Sequence, residues 1–290
     1  MKKITALFIA AAVMLGGVTA CRNGGTNTTP VPEPGPGFPT ETFDFTDEVT
    51  MRQVGLTELE VTDFLGLVNA WYPVGDEVMQ TVATYGVIPA ATSSIEFNPE
   101  ALAALEALFA EAKSEGHTGF YLASGMRDYA AQAAIYENAD DKSFVQPPGH
   151  SEHQTGLAAD ISELSVDIAT FDRSNGGRWF TQNAHRYGFV LRYPADKTNI
   201  TGISYEPWHF RYVGQPHAAY MTQNKLVLEE YLDLLQTEGG YDYSFEGVDY
   251  RVMYNAAPVG SAGTISVPAD YDYEVSRDNT GGYVVTIKFA

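Results

Sequence analysis

The chain has 290 residues, 44% hydrophobic and 19% charged, a globular composition long enough for one well-buried core and a small accessory unit. With 37 acidic against 17 basic side chains the formal net charge is −20, so phosphate-rich polyanions are repelled and nucleic acid is not an expected partner. A single cysteine leaves no intrachain disulfide and no thiolate cluster, so any metal must be held by His, Asp or Glu.

Met1-Lys2-Lys3 is a short basic region, and the apolar run Ile4 to Val18 that follows falls short of the ~20 residues that span a bilayer. The pattern reads as a secretory signal over residues 1–20. Its end, Val18-Thr19-Ala20-Cys21, resembles the bacterial lipobox. That resemblance implies a lipid on Cys21 and a protein held outside the cytoplasm, touching the membrane through its N-terminal lipid alone. Residues 21–45 read as a tether: Arg22 to Thr40 is mostly Gly, Asn, Thr and Pro with almost no apolar residue, including Pro30, Pro32, Pro34 and Pro36, and cannot bury enough apolar surface to fold.

A folded domain is expected over residues 46–238. Val61 to Trp71 reads as a short apolar element, ended by a turn at Tyr72-Pro73-Val74-Gly75. Asn98 or Pro99 opens a helix in which Leu102, Leu105, Leu108 and Phe109 recur at helical spacing until Gly116. Phe120 to Ala123 reads as a strand and Asp128 to Tyr136 as an alanine-rich helix. Leu157 to Ile161 alternates, with Leu157, Ala159 and Ile161 on one face and Asp160 on the other, as a half-buried strand does. Arg173 to Tyr187 reads as a helix closed by Gly188, Trp208 to Val213 alternates again, and a further helix is expected from Pro216 to Leu235. Residues 239–290 change character: Tyr250 to Tyr254, Thr264 to Val267 and Tyr283 to Phe289 are aromatic and β-branched runs between Gly, Pro and Asn turns, a small β-rich module.

Three of the six histidines lie in two short polar segments, His150-Ser151-Glu152-His153 within Gly149 to Gly156, and Glu206-Pro207-Trp208-His209. A hydrolytic zinc site needs three ligands from neutral imidazoles and carboxylates, an open coordination position, and a separate carboxylate as base. His153, Asp160 and His209 supply the ligands and Glu206 the base. One zinc ion suits this nitrogen and oxygen set, although ligand type alone leaves other divalent metals open.

Ser151-x-His153-x6-Asp160 followed by Glu206-Pro-Trp-His209 resembles the signature of the VanY-type D-alanyl-D-alanine carboxypeptidases of the peptidase M15 group. Ser124 to Gln132 is similar to the family's Ser-Gly-aromatic-Arg-Ser-x-x-x-Gln segment, and the likeness runs from about Leu67 to Leu235. It implies His153, Asp160 and His209 as zinc ligands, Glu206 as general base and then proton donor, and Arg127 as the stabiliser of the scissile carbonyl. Ser151, Gln132 and Trp208 fall where contacts to the substrate's terminal portion are expected, with Trp208 also suited to packing that orients His209. His150 could support a ligand or simply shape its loop, while His117, His185 and His217 read as structural. Met126 replaces an aromatic and Asp128 a small hydroxyl residue of the family pattern, and a carboxylate at 128 could pair with Arg127. The implied fold is α+β, an antiparallel sheet with packed helices of the Hedgehog/DD-peptidase group. The expected activity is removal of the terminal D-alanine from peptidoglycan stem peptides by a monomer facing the wall. The alternatives are an L,D-carboxypeptidase, a wall endopeptidase, and a surface lipoprotein that holds zinc or wall peptide without turnover; Ser-x-x-Lys and Gly-x-Ser-x-Gly are absent.

Overall fold

The computed structural model describes residues 49–75, 80–256 and 263–289; the signal segment, the tether and Cys21 lie outside them. The described chain enters through strand β1 (Met51–Gly55). The element expected over Val61 to Trp71 is neither helix nor strand apart from one bridge at Thr62. Its Leu65, Leu67 and Val68 are buried, and its backbone is satisfied piecemeal, Leu65 N by Ser276 Oγ and Leu67 N by Asp278 O, so no ladder of its own is needed.

A two-residue ladder of β2 (Val82–Ala83) with β3 (Glu96–Phe97) leads into α1 (Pro99–Ser114). Asn98 caps that helix, its Oδ1 accepting from Glu100 N at 3.0 Å and Ala101 N at 3.1 Å, and Leu102, Leu105 and Leu108 form its buried stripe. Then come β4 (Phe120–Ser124), α2 (Tyr129–Asn138), β5 (Ala158–Glu163) and α3 (Asn175–Asn183). The helix expected to Tyr187 stays α-helical only to Asn183; a tight 3-10 turn continues it to Gly188, which closes at φ +81°. After β6 (Phe189–Leu191), the single-turn α4 (Thr198–Thr201) and β7 (His209–Tyr212), the one helix expected over 216–235 is two, α5 (His217–Asn224) and α6 (Leu228–Glu238). Lys225 breaks it at φ +54°, its N–H returning to Thr222 O.

The strands β4-β5-β7-β6 form an antiparallel sheet. Phe180, Phe210, Ile161 and Leu105 meet in one core cluster on the face covered by α1 and α3. On the opposite face the register aligns Ser124, Asp160 and His209 across β4, β5 and β7. Alternation along β7 is real in polarity, but all four of its residues are buried, so it is not the half-exposed strand its pattern suggests. Arg211 shares the His209 face and is fully buried because Glu152 and four backbone carbonyls, from Asp63, Phe64, Gly66 and Tyr212, take its N–H groups.

The tail forms β8 (Gly240–Phe245), β9 (Val248–Ala256), β10 (Thr264–Pro268), β11 (Tyr273–Arg277) and β12 (Gly282–Phe289). Four of these make a second antiparallel sheet in the order β11-β12-β9-β8, while β10 pairs with β1, so the start of the described chain is laced into its end. The α6 face bearing Leu228, Tyr231 and Leu232 clusters with Val252 and Val284 of that sheet. His217 sits between Tyr231 Oη at 2.6 Å and Thr286 Oγ1 at 3.0 Å, a structural histidine.

On β11 burial, helped by the like charge of Glu100, pushes the Glu274 carboxyl up to about 7. A carboxyl raised above its unfolded value favours the folded state while protonated, so its contribution is complete below the unfolded value and is lost as pH rises through about 7. Glu274→Gln is expected to stabilise the protein at pH 8 by at most about 3 kcal/mol and hardly at all at pH 4. Paired thermal melts at the two pH values check this; parallel profiles for the two proteins contradict it.

Candidate metal centre

Asp160 and His209 stand directly opposite one another on β5 and β7, so the ladder itself brings their side chains together. His153 comes from the 3-10 turn Glu152–Thr155 just before β5, ended by Gly156 at φ +72°. There a Cβ would also stand 2.9 Å from Thr81 Cγ2, so glycine fits both the conformation and the space. One ligand atom from each of His153, Asp160 and His209 lies within 4.8 Å of the other two.

The tautomers follow from what each ring touches. His153 Nδ1 is 2.7 Å from Gly125 O, which can only accept, so Nδ1 carries the proton and Nε2 turns a lone pair towards Asp160 Oδ1 at 3.3 Å. His209 faces the same oxygen through Nδ1 at 3.1 Å, with Nε2 3.5 Å from Glu152 Oε2. Two ring nitrogens converging on one carboxylate oxygen require positive charge between them, a proton or a cation. In the metal-free chain the proton serves: burial opposes charge on His209, but Asp160 and then Glu152 outweigh it and lift the ring to about 9. Burial and the charge of Arg127 hold His153 below its ordinary value, and the two imidazoles hold Asp160 well below the usual carboxylate range against burial. The donor set fits a divalent ion, which can take the place of that proton.

Glu206 closes the site without joining the set. Its Oε2 is 3.5 Å from His209 Nδ1, and burial pushes its carboxyl up to about 8; His209 and Arg127 pull against that shift, and Asp160 and Glu152 add to it. Arg127 is placed by its own N–H, which donates to His153 O at 3.1 Å, and its guanidinium faces Asp160 and Glu206 across a cavity of about 240 Å³. Gln132, Ser151 and Trp208 line the same cavity, so every residue expected at the site is brought to one place. Gln132 Nε2 donates to Gln146 O at 2.7 Å, leaving its buried Oε1 without a partner among the described residues. Asp128 does not pair with Arg127: its Oδ1 caps α2, accepting from Ala131 N at 2.7 Å. His150 Nδ1 meets Asn69 O at 2.7 Å, so His150 shapes its loop.

Two contributors were not singled out from the sequence. Glu152 is fully buried; Oε1 accepts from Arg192 Nε at 2.7 Å and Arg211 Nη1 at 2.9 Å, and Oε2 faces the far nitrogen of His209. Arg192 also grips Glu229 with both terminal nitrogens, at 2.9 and 2.7 Å. Tyr193 lines the cavity with its ring 4.8 Å from that of His209. An acid beside His153 and an arginine inside the alternating strand were the available signals for the first; the sequence carries none for Tyr193.

Residues 94–215 match the family described as VanY, D-alanyl-D-alanine carboxypeptidase. A D-alanyl-D-alanine carboxypeptidase of Enterococcus faecium is 35% identical over 253 residues, which cover 83% of this chain and 80% of that protein. Among solved structures, the vancomycin-resistance D,D-dipeptidase VanXYg in complex with a D-Ala-D-Ala phosphinate analogue aligns with a TM-score of 0.72 at 31% identity, over 83% of this chain and all of that one. The LdcB LD-carboxypeptidase aligns with a TM-score of 0.54 at 36% identity, over 59% of this chain and 86% of its own.

Proposed function

The chain belongs to the VanY family of D-alanyl-D-alanine carboxypeptidases, and on that premise we propose how its own residues remove the terminal D-alanine of peptidoglycan stem peptides. It is an α+β peptidase with the fold of the DD-peptidases. The observation that carries the activity is the convergence of His153, Asp160 and His209 on one point, with Glu206 alongside as a carboxylate outside the ligand set. These three residues would hold one zinc ion, whose Lewis acidity would supply a water ionisable near pH 7 and a polarised carbonyl.

The other roles belong to side chains. Glu206 accepts the proton of the attacking water and returns it to the amine of the departing D-alanine. Its buried position gives it the raised affinity for a proton that an acid needs, while His209 and Arg127 pull against that rise, as a base needs. The Arg127 guanidinium faces the oxygen on which charge develops. Ser151 and Gln132, the latter through its unpartnered Oε1, hold the end of the peptide, and Trp208 walls the cavity beside His209. Glu152 fixes the ring of His209 from behind.

Mass analysis of two digests tests the reading. A pentapeptide ending in D-Ala-D-Ala is expected to lose one alanine, a tetrapeptide ending in a single D-alanine to survive, and chelator to stop the reaction. Activity on the tetrapeptide alone favours an L,D-carboxypeptidase, and internal cuts an endopeptidase.

We propose in addition that the protein is exported and anchored by a lipid on Cys21, supported by the basic, apolar and Val18-Thr19-Ala20-Cys21 sequence of its start and by the tether that follows. No helix among the described residues is long and apolar enough to cross a membrane. Labelled fatty acid is expected in the mature protein and lost in Cys21→Ala; equal labelling of both contradicts the anchor.

A further inference from the structure

Several large apolar side chains are exposed on the described surface, Trp71, Tyr72, Tyr129, Ile135 and Phe144 among them. Ile135 and Phe144 line the cavity. Tyr129 lies 3.6 Å from where a Gly149 Cβ would stand, and the Trp71 indole edge 3.9 Å from where a Gly202 Cβ would stand, one residue before cavity-lining Ile203.

Trp71 combines exposure with a fixed mount. The residue is 66% exposed, yet its backbone is held from both sides. Buried Asn69 accepts from Trp71 N at 2.9 Å and Tyr72 N at 3.1 Å through Oδ1, and donates from its own N to Tyr72 O at 2.9 Å. Asn69 is itself anchored by His150 and by Glu229, the carboxylate that Arg192 grips. Beyond the tryptophan, Asn279 donates to Pro73 O at 2.9 Å and Val74 N to Gly149 O at 2.8 Å. An indole left in water on a backbone fixed in this way is preorganised for a ligand, because little further ordering is needed on binding.

At about 240 Å³ the cavity is smaller than the roughly 300–1,000 Å³ that encloses a drug-sized ligand, so it takes the end of a peptide and leaves the rest outside. Resting on the carboxypeptidase reading, we propose that Trp71 is a subsite for the peptide stem upstream of D-Ala-D-Ala, its indole packing on the side chain that leaves the cavity past Ile203. Trp71 borders the cavity wall within one residue, which suits the adjacent stem rather than a sugar at the far end of it. The consequence is selection by length: a stem peptide binds more tightly than a bare dipeptide.

Calorimetry on the full, zinc-loaded chain in a Glu206→Gln background tests this without turnover. The ligands are D-Ala-D-Ala, a stem pentapeptide, and the same pentapeptide bearing its disaccharide. Trp71→Ala is expected to weaken both pentapeptide ligands about fivefold while leaving the dipeptide and the melting temperature unchanged. Trp71→Phe is expected to keep most of the affinity. Equal weakening of the dipeptide, no weakening at all, or an effect confined to the sugar-bearing ligand overturns the assignment. A parent protein that binds the pentapeptide no tighter than the dipeptide overturns it too. A parent that shows the length preference, but releases no alanine when Glu206 is intact, overturns only the carboxypeptidase reading.

Discussion

Replacing Glu206 by glutamine is expected to lower kcat on a D-Ala-D-Ala pentapeptide by about a thousandfold with KM little changed. The amide has the shape of the carboxyl but cannot take a proton from water, and Glu206 stands 3.5 Å from His209 Nδ1 as a neighbour of the ligand set. Zinc content is therefore expected to stay at one per chain. Steady-state kinetics with metal analysis on the same preparation checks both halves. An unchanged rate removes Glu206 as the base, and loss of zinc makes it a ligand.

The second large effect is expected at Glu152. Its carboxylate is the shared counter-ion of two fully buried arginines and the partner of the far side of His209. Deleting one member of such a cluster leaves charge stranded away from water, so Glu152→Ala is expected to cost about 3–5 kcal/mol of folding stability even without metal. The surviving Glu229 compensates Arg192 alone among the two. Glu152→Gln keeps the volume and some of the hydrogen bonding, and is expected to weaken zinc binding about 10–100-fold by loosening the ring of His209. Denaturant unfolding of the metal-free proteins separates the stability effect from the metal effect measured by competition with a chelator. A glutamine variant with parental zinc affinity shows that the 3.5 Å approach of Glu152 to His209 has no positioning role.

The parts of the fold legible in the sequence are those whose signals are local. Helix α1 carries its cap at Asn98, its leucine stripe and a glycine beyond its end, and each does in the structure what its chemistry suggests. The break between α5 and α6 falls at Lys225, a left-handed residue with no turn chemistry to announce it, forced by the packing of both helices. The 61–71 segment is apolar because it is buried, yet it is shaped by partners more than 200 residues away such as Ser276 and Asp278, which no local pattern reports.

The metal centre was legible for a related reason. His153 and Asp160 sit close in sequence because a turn feeds directly into a strand, and Glu206 and His209 because a loop does the same on the neighbouring strand. Glu152 was not legible, since an acid beside a histidine in a polar loop reads as a solvated charge. Its burial depends on Arg192 and Arg211, 40 and 59 residues on, which meet it only when β7 lies beside β5 and β6. Arg211 lies within the alternating run Trp208 to Val213, and Glu152 and the carbonyls of the 63–66 segment take its N–H groups where it is completely buried.

The central claim is that two imidazoles and one carboxylate hold a single catalytic ion. Crystals of the protein grown with zinc, measured at the zinc absorption edge, test it most directly. One anomalous peak is expected within bonding distance of His153 Nε2, Asp160 Oδ1 and His209 Nδ1, with Glu206 outside that distance; a fully loaded crystal whose peak lies away from these three atoms contradicts the account.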